Sequence, residues 1–465
     1  MKLFFATLVL FFSSAHSFAA EKPNRLGASS IELLEKEIQI DKGYGEGHYF
    51  NTENTLAQDL VNQGFAMLNL FQYTDAFRSF ETALAEDSNI KIAVVGRAFA
   101  SLSLDRQNRH YVEKALNLLK TDLDSLDEST KAWGNLLSSL VGRRDLDDQP
   151  LTGAQAYKKL KETKTENSDI KTFGNWVSQS YVISDFQDVL NSDPVNAGAL
   201  HYLLHMAEGQ NDHQAALGFG VRLIKIATSS AHAQHMYGHV LPHFNRWNEA
   251  DKQFIIADGL HKAWAEKNNV PPSEDWHYYH NLDLWSVSKM VVDAQSALEI
   301  LGEIQSLNTS ALLDYLDYAS ATFPEKAKAQ IEGVLDQAGA QSPELKNFVL
   351  SSRLYFNVVF NPGQSSFNDI ILALNSGANF KNGRLLYTFL TLIQAKDSKP
   401  EEYLDIQKNI VDGLRSNFER GGFDGWKKSV MEALMYKRLF QIYDLRDSLA
   451  LLESDIFDTY MAPVD

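Results

Sequence analysis

Histidine is the residue type whose placement in this chain most clearly suggests chemistry. Ten of the 13 histidines lie between residues 201 and 280, a small part of the 465-residue chain. Neutral imidazole is the commonest side-chain ligand of transition metals, so this region predicts either a metal site or a polar binding groove. The ten are His201, His205, His213, His232, His235, His239, His243, His261, His277 and His280.

The spacing of these histidines repeats along the chain. His201 and His205 are four residues apart and Glu208 follows three residues later, which places all three on one face of a helix. His235 and His239 follow His201 and His205 by 34 residues each. Because 34 residues is the period of a tetratricopeptide (TPR) repeat, both pairs fall at positions 5 and 9 of the first helix in adjacent repeats.

Such first helices line the concave groove of a TPR array and pack about 8–10 Å apart. Side chains at equivalent positions are therefore expected to converge, and His232 takes position 2 of its repeat. Imidazole and carboxylate together suit zinc, copper(II), iron(II) or nickel. Since one zinc ion needs fewer ligands than are present, the others would serve a second metal or orient the ligands. A metal-free groove for an acidic peptide is the alternative.

The elements that must position these side chains carry the TPR residue pattern. Gly64, Tyr73, Ala76, Phe80 and Ala83 match its five small and aromatic positions, as do Gly238, Trp247, Ala250, Phe254 and Ala257. A weaker repeat surrounds Ala216. The small residues let two helices cross closely, and the aromatic ones fill the gap to the next repeat. The predicted fold class is all-α, an α-α superhelix: a TPR-like solenoid of antiparallel helix pairs.

Breaks in this pattern predict the domain organisation. We expect a signal peptide at 1–20, a lead-in at 21–55 with a flexible glycine-rich loop at 43–47, and TPR-like repeats with the histidine groove at 56–265. An insertion that continues the histidine site follows at 266–290. Residues 291–465 show helical periodicity without TPR residues and predict a degenerate helical-repeat region. Its predicted helices include 324–337 and 343–360, and helix breaks are predicted at Gly377, Lys399-Pro400 and Gly421-Gly422.

Three segments resemble a widespread bacterial group of TPR proteins that has eukaryotic relatives. They are HYLLHMAE (201–208), HAQHMYGHV (232–240) and HNLDL (280–284), against the patterns HxYIHxxE, HxxHMPSHI and HNxHFL. The resemblance implies a TPR-like fold and no particular reaction. Asp283 stands where the group has a histidine, and an aspartate there could still bind a metal. The resulting candidate metal ligands are His201, His205, Glu208, His232, His235, His239, His280 and Asp283, and Asn281 also carries over.

The remaining histidines of the cluster carry no spacing signal. His213, His243, His261 and His277 are expected at the surface or around the ligands rather than on the metal.

The amino terminus predicts export. Lys2 precedes the apolar stretch Leu3–Phe12, and Ser17 and Ala19 supply the small residues of a cleavage site. Ten apolar residues are too few for a membrane span, which needs about 20. We therefore expect a secreted or periplasmic protein that does not span the membrane.

Composition limits the partners and the chemistry. The chain has no cysteine, which excludes disulfides and thiolate ligands, and its net charge of −17 argues against nucleic acid as a partner.

Three functions fit these observations. The groove could bind a divalent metal (zinc, copper or iron) together with a protein, peptide or small-molecule ligand. It could be the site of a metal-dependent hydrolase or oxidoreductase. It could also be a metal-free groove for a peptide or glycan.

Overall fold

The computed structural model describes residues 32–45, 53–104, 109–163, 168–307, 311–323, 355–360, 383–422 and 425–462. Within these ranges every regular element is helical, and one isolated β-bridge joins Arg144 to Pro150. Consecutive helices are joined by short connections and pack against each other, as antiparallel pairs do. The predicted all-α class, built from helix pairs, is confirmed.

The chain divides into two compact units. The first consists of Met1–Tyr237 and Ile256–His277, and the second of Gly238–Ile255 and Tyr278–Asp465.

Ten helices lie wholly in the first unit, and three more contribute residues to both units. The ten are α1 (Thr55–Asn69), α2 (Tyr73–Glu86), α3 (Lys91–Leu104), α4 (Arg109–Thr121), α5 (Glu128–Gly142), α6 (Gly153–Glu162), α7 (Ser168–Val177), α8 (Ile183–Ser192), α9 (Ala197–Gly209) and α10 (His213–Ile226). The three are α11 (Ala231–Val240), α12 (Trp247–Asn268) and α13 (Trp276–Val292).

The described helices of the second unit complete the fold. They are α14 (Ala294–Leu307), α15 (Ala311–Thr322), α16 (Gly383–Ser398), α17 (Pro400–Arg420), α18 (Gly425–Ile442) and α19 (Arg446–Leu452), followed by a π-helix over Glu453–Met461. The predicted breaks at Lys399-Pro400 and Gly421-Gly422 fall at the two ends of α17 and are confirmed. Predicted helices at 324–337 and over most of 343–360, and the break at Gly377, lie outside the described residues.

Close helix crossing explains the TPR residue pattern. A Cβ atom on Gly64 of α1 would lie 2.7 Å from the Phe80 ring of α2, and one on Gly238 would lie 2.8 Å from the Phe254 ring. Phe80 and Phe254 are fully buried. Because glycine removes the clash in both pairs, the aromatic ring of each second helix packs directly on the backbone of the first.

The weaker repeat around Ala216 packs by the reverse arrangement. Gly220 of α10 stands where the pattern calls for an aromatic residue, and a Cβ atom there would lie 2.7 Å from the ring of Tyr237 on α11. The following helix thus fills the gap that the aromatic residue of α10 would otherwise fill. The pair α9–α10 is therefore a repeat like the others, with the large residue moved to its neighbour.

Two predicted breaks in the helical pattern, the insertion at 266–290 and the glycine-rich loop at 43–47, differ from expectation. Helix α12 continues to Asn268, so the insertion reduces to the residues between it and Trp276. Gly43 is not in a flexible loop: it lies in the 3₁₀ turn Lys42–Tyr44, and a Cβ atom there would lie 1.9 Å from Ser229 Oγ. Among the helices that the structure describes, none is long and apolar enough to cross a membrane.

Candidate metal centre

Three histidine side chains of the first unit converge on one point. His201 and His205 lie one turn apart on α9, and His232 lies in the first turn of α11. His201 Nε2 is 2.9 Å from His232 Nε2 and 3.0 Å from His205 Nε2. The three offer ligand atoms that all lie within 4.8 Å of one another, the arrangement that a bound metal ion requires.

The backbone of α1 fixes the tautomer of His201. Its Nδ1 lies 2.7 Å from the carbonyl oxygen of Asn69, the last residue of α1. Since a carbonyl only accepts, Nδ1 carries the proton and donates it, and Nε2 presents its lone pair to the other two histidines. A metal-binding histidine is commonly oriented through its other nitrogen in this way.

Burial favours the neutral form of the two most buried histidines of this triad, His201 and His232. His201 and His232 are almost completely buried, whereas His205 is partly exposed. Burial lowers the pKa of His201 to about 3, despite the opposing hydrogen bond to Asn69. Burial, with repulsion from His201 and the neighbouring histidines, lowers the pKa of His232 well below its ordinary value. A neutral imidazole is the form that binds a metal.

Hydrogen bonds alone do not account well for the close approach of the three Nε2 atoms, whereas a bound cation would. Nε2 of His201 has a single lone pair, yet two other ring nitrogens lie within hydrogen-bond distance of it. Only one N–H can use that lone pair fully. Among the described residues, Nδ1 of the buried His232 has no hydrogen-bond partner. The nitrogen distances are slightly shorter than the roughly 3.3 Å that tetrahedral Zn–N bonds imply.

A small residue brings α9 close enough to α1 for this arrangement. Asn196 caps α9 by accepting from Ala199 N at 2.8 Å. In the first turn, a Cβ atom on Gly198 would lie 2.7 Å from both Cβ and Cγ of Asn69. Glycine at 198 therefore permits the approach that lets His201 reach the Asn69 carbonyl.

Aromatic rings cover one side of the triad. Phe71 has a φ of 60°, a left-handed conformation that costs a bulky residue about 1–3 kcal/mol. Its ring centroid lies 4.7 Å from that of His201, 5.2 Å from His232 and 6.0 Å from His205. Trp176 lies 5.7 Å from His205. These rings exclude water from that side, which strengthens electrostatic interactions at the triad.

A carboxylate with two further histidines lies beside His232. His261 Nδ1 donates to Asp275 at 2.8 Å, the backbone N–H of His277 donates to the same carboxylate at 2.9 Å, and the His277 ring lies 5.0 Å from that of His232. Burial alone would raise the pKa of Asp275, but the two histidines lower it overall. We expected His261 and His277 either at the surface or around the ligands. Both are buried, so the surface location is wrong for these two histidines.

The other candidate ligands are divided between the two units. Glu208 is buried one turn beyond His205 on α9, and the His235 ring lies 6.0 Å from that of His232. In the second unit the rings of His239 and His280 are 5.7 Å apart. Asp283 pairs there with Lys427, and Asn281 donates to the Phe254 carbonyl at 3.2 Å.

The histidines that meet in the first unit are therefore not those at equivalent positions of adjacent repeats. His201 and His205 meet position 2 of the next first helix, His232, although the sequence argument paired them with His235 and His239. Successive helices cross at an angle, so the residues that approach each other are offset by about a turn. Asn69, Phe71 and Asp275 were missed because they lie in other repeats or in the insertion, and no spacing signal connects them to the histidines.

Comparisons with known proteins add little to this description. No protein-family profile and no curated protein matches the chain. A search of solved structures matches the TPR domain of P58(IPK) at 13% identity, covering 87% of this chain and 94% of that chain, with a TM-score of 0.25. The helix pairs themselves remain the basis for describing the fold as TPR-like.

Proposed function

We propose that this helical-repeat protein binds a divalent transition metal ion through His201, His205 and His232. The observation that carries the proposal is the approach of two ring nitrogens, from His232 at 2.9 Å and His205 at 3.0 Å, to the lone pair that Asn69 fixes on Nε2 of His201. Three imidazole ligands suit zinc, copper(II) or iron(II).

Three protein ligands leave a coordination position for another molecule. Structural zinc sites usually have four protein ligands, whereas three ligands and an open position are typical of sites that bind or transform a ligand. His205 is the partly exposed member, and access from its side would let a small molecule or a partner's side chain reach the metal. We therefore infer a binding protein whose metal takes part in the contact with a protein, peptide or small-molecule ligand.

A metal-dependent hydrolase is the second candidate, and one observation favours it. The partly buried Asp275 hydrogen-bonds His261 and His277, and the His277 ring lies next to that of His232. A metal ion with an open position polarises a bound carbonyl or water. A carboxylate–imidazole group nearby would then hold a proton or orient a substrate. Hydrolysis of model esters or peptides that requires both the metal and Asp275 would favour this candidate.

We also propose that the protein is exported and that nucleic acid is not a partner. The signal-like sequence at 1–20 supports export, and the charge of −17 disfavours a polyanion. Amino-terminal sequencing of protein secreted by its host tests the first proposal: a start near residue 20 is expected, and a start at Met1 would contradict it.

Metal analysis of matched variants tests the proposed function. The purified chain is loaded with zinc, copper(II) or iron(II), dialysed, and compared with His205→Ala and His232→Ala variants. The control is His110→Ala, because His110 is an exposed residue on α4. We expect about one metal per chain in the wild type and the control, since three imidazoles make one zinc site, and a large loss in both triad variants. Equal metal content in all four proteins would refute the site.

A further inference from the structure

A segment near the amino terminus, with a turn at each end and no regular structure over 37–41, is held by side chains that bind its main chain. Residues 32–45, here called the strap, lie along α1 and α2 of the first unit. Leu33, Leu34 and Tyr44 are buried at the two ends, whereas most side chains between them are exposed. The middle of the strap therefore contributes backbone rather than side chains to the contact.

Arg78 of α2 binds two consecutive carbonyl groups of the strap. Its Nε donates to Lys36 O at 3.1 Å, and Nη2 donates to Glu37 O at 2.9 Å. Its remaining nitrogen is held at 2.8 Å by the carboxylate of Asp75. Arg78 is 6% exposed, so a buried, oriented charge donates to the main chain of the strap.

Neutral side chains of α1 and α2 continue this pattern. Thr82 Oγ1 accepts from Ile38 N at 3.2 Å. Gln63 uses both ends of its amide: Oε1 accepts from Asp41 N at 2.6 Å, and Nε2 donates to Gln39 O at 3.2 Å. At the far end of the strap, Ser229 N donates to Gly43 O at 2.8 Å.

We propose that this face of α1 and α2 is a binding site for a polypeptide segment with an irregular middle and a turn at each end, which the strap occupies within the same chain. The site binds main-chain groups through Arg78, Gln63 and Thr82, so it selects accessible backbone at the middle of a segment that has apolar residues at its ends. Main-chain hydrogen bonds supply affinity and end pockets supply selectivity in other modes of extended-peptide recognition. A similar segment of another protein can take this place when the strap leaves. This proposal does not rest on the proposed metal site.

Proline substitutions in the full-length chain release the strap without changing the site. Ile38→Pro with Asp41→Pro removes the two N–H groups that donate to Thr82 and Gln63. Ile40→Pro is the matched control, because it places proline in the same segment at an N–H that donates to none of these side chains. The probe is a fluorescent synthetic peptide with the sequence of residues 32–45, followed by anisotropy.

The double-proline chain should bind the peptide at least tenfold more tightly than the wild type or the Ile40→Pro control, since each lost hydrogen bond changes the equilibrium about fivefold. Adding Arg78→Ala should weaken peptide binding on the order of 100-fold, because two charge-assisted bonds are lost. A peptide with residues 35–40 scrambled should bind like the original. A folded double-proline chain that binds no peptide, or binding indifferent to Arg78, would overturn the proposal.

Hydrogen exchange of the wild-type chain decides the question if the double-proline chain does not fold. The amides of Ile38 and Asp41 should exchange through a local opening, faster than the core amides of α1 and α2. Exchange of these two amides only on global unfolding would show that the strap does not leave its site, and would overturn the proposal.

Discussion

Substitution of Gly198 by alanine should weaken metal binding without touching a ligand. The new Cβ atom would lie 2.7 Å from both Cβ and Cγ of Asn69. Both atoms are close to the Asn69 backbone, so rotation of the side chain end cannot relieve the clash. Helix α9 must then move away from the end of α1, and the hydrogen bond of His201 to the Asn69 carbonyl lengthens.

The magnitudes follow from the packing and from the role of that hydrogen bond. Overpacking costs about 1–3 kcal/mol, and alanine returns about 0.5–1 kcal/mol of helix propensity, which leaves a net loss of about 1–2 kcal/mol. Loss of the group that orients a metal-binding histidine typically weakens metal binding about 10–100-fold.

Gly218→Ala provides a matched control on the neighbouring helix α10. A Cβ atom there meets nothing within 4 Å. We expect a gain of about 0.5–1 kcal/mol and unchanged metal affinity. Urea unfolding measures the stabilities, and zinc titration against a chromophoric chelator measures the affinities. If Gly198→Ala binds zinc as tightly as Gly218→Ala does, the proposed orientation of His201 by Asn69 is refuted.

Three further predictions concern other parts of the molecule. Without metal, the free energy of unfolding should be fully retained above about pH 6.5 and should fall at lower pH, by up to about 1.4 kcal/mol per pH unit for each of His201 and His232. The reason is that folding lowers the pKa values of both histidines, so the unfolded chain binds more protons than the folded chain. A free energy from urea unfolding that does not change with pH below about 6.5 would contradict this. Gly64→Ala should destabilise the chain by about 1–3 kcal/mol, because the new Cβ atom overlaps the Phe80 ring. The control Gly302→Ala should not destabilise it, because the space around that Cβ atom is open, and thermal unfolding measures both variants. Asp283→Asn should leave the metal content of the triad unchanged, because the Asp283 carboxylate pairs with Lys427; metal loss on elemental analysis would instead support Asp283 as a ligand.

The repeat pattern of the sequence predicted the helix pairs well. Gly64 with Phe80 and Gly238 with Phe254 match because small and aromatic positions report a close helix crossing that is local in sequence. Gly220 did not fit the pattern, because its large partner, Tyr237, lies on the next helix. A pattern defined within one repeat does not detect such an exchange between repeats.

The site was predictable only in part, for a similar reason. Helical spacing placed His201 and His205 on one face, and that part needs no tertiary information. Which residue of the next helix they meet depends on the crossing angle, which the sequence does not specify. The supports Asn69, Phe71 and Asp275 come from distant segments brought near by folding, so residue spacing carried no sign of them.

Anomalous diffraction from crystals of the metal-loaded, full-length chain tests the central claim most directly. Data collected at the absorption edge of the bound metal locate the ion without reference to any variant. The account predicts one strong peak at about 2.0–2.1 Å from Nε2 of His201, His205 and His232, with a position left for a fourth ligand. A peak elsewhere in the chain, or no peak after loading with zinc, copper(II) or iron(II), would contradict it.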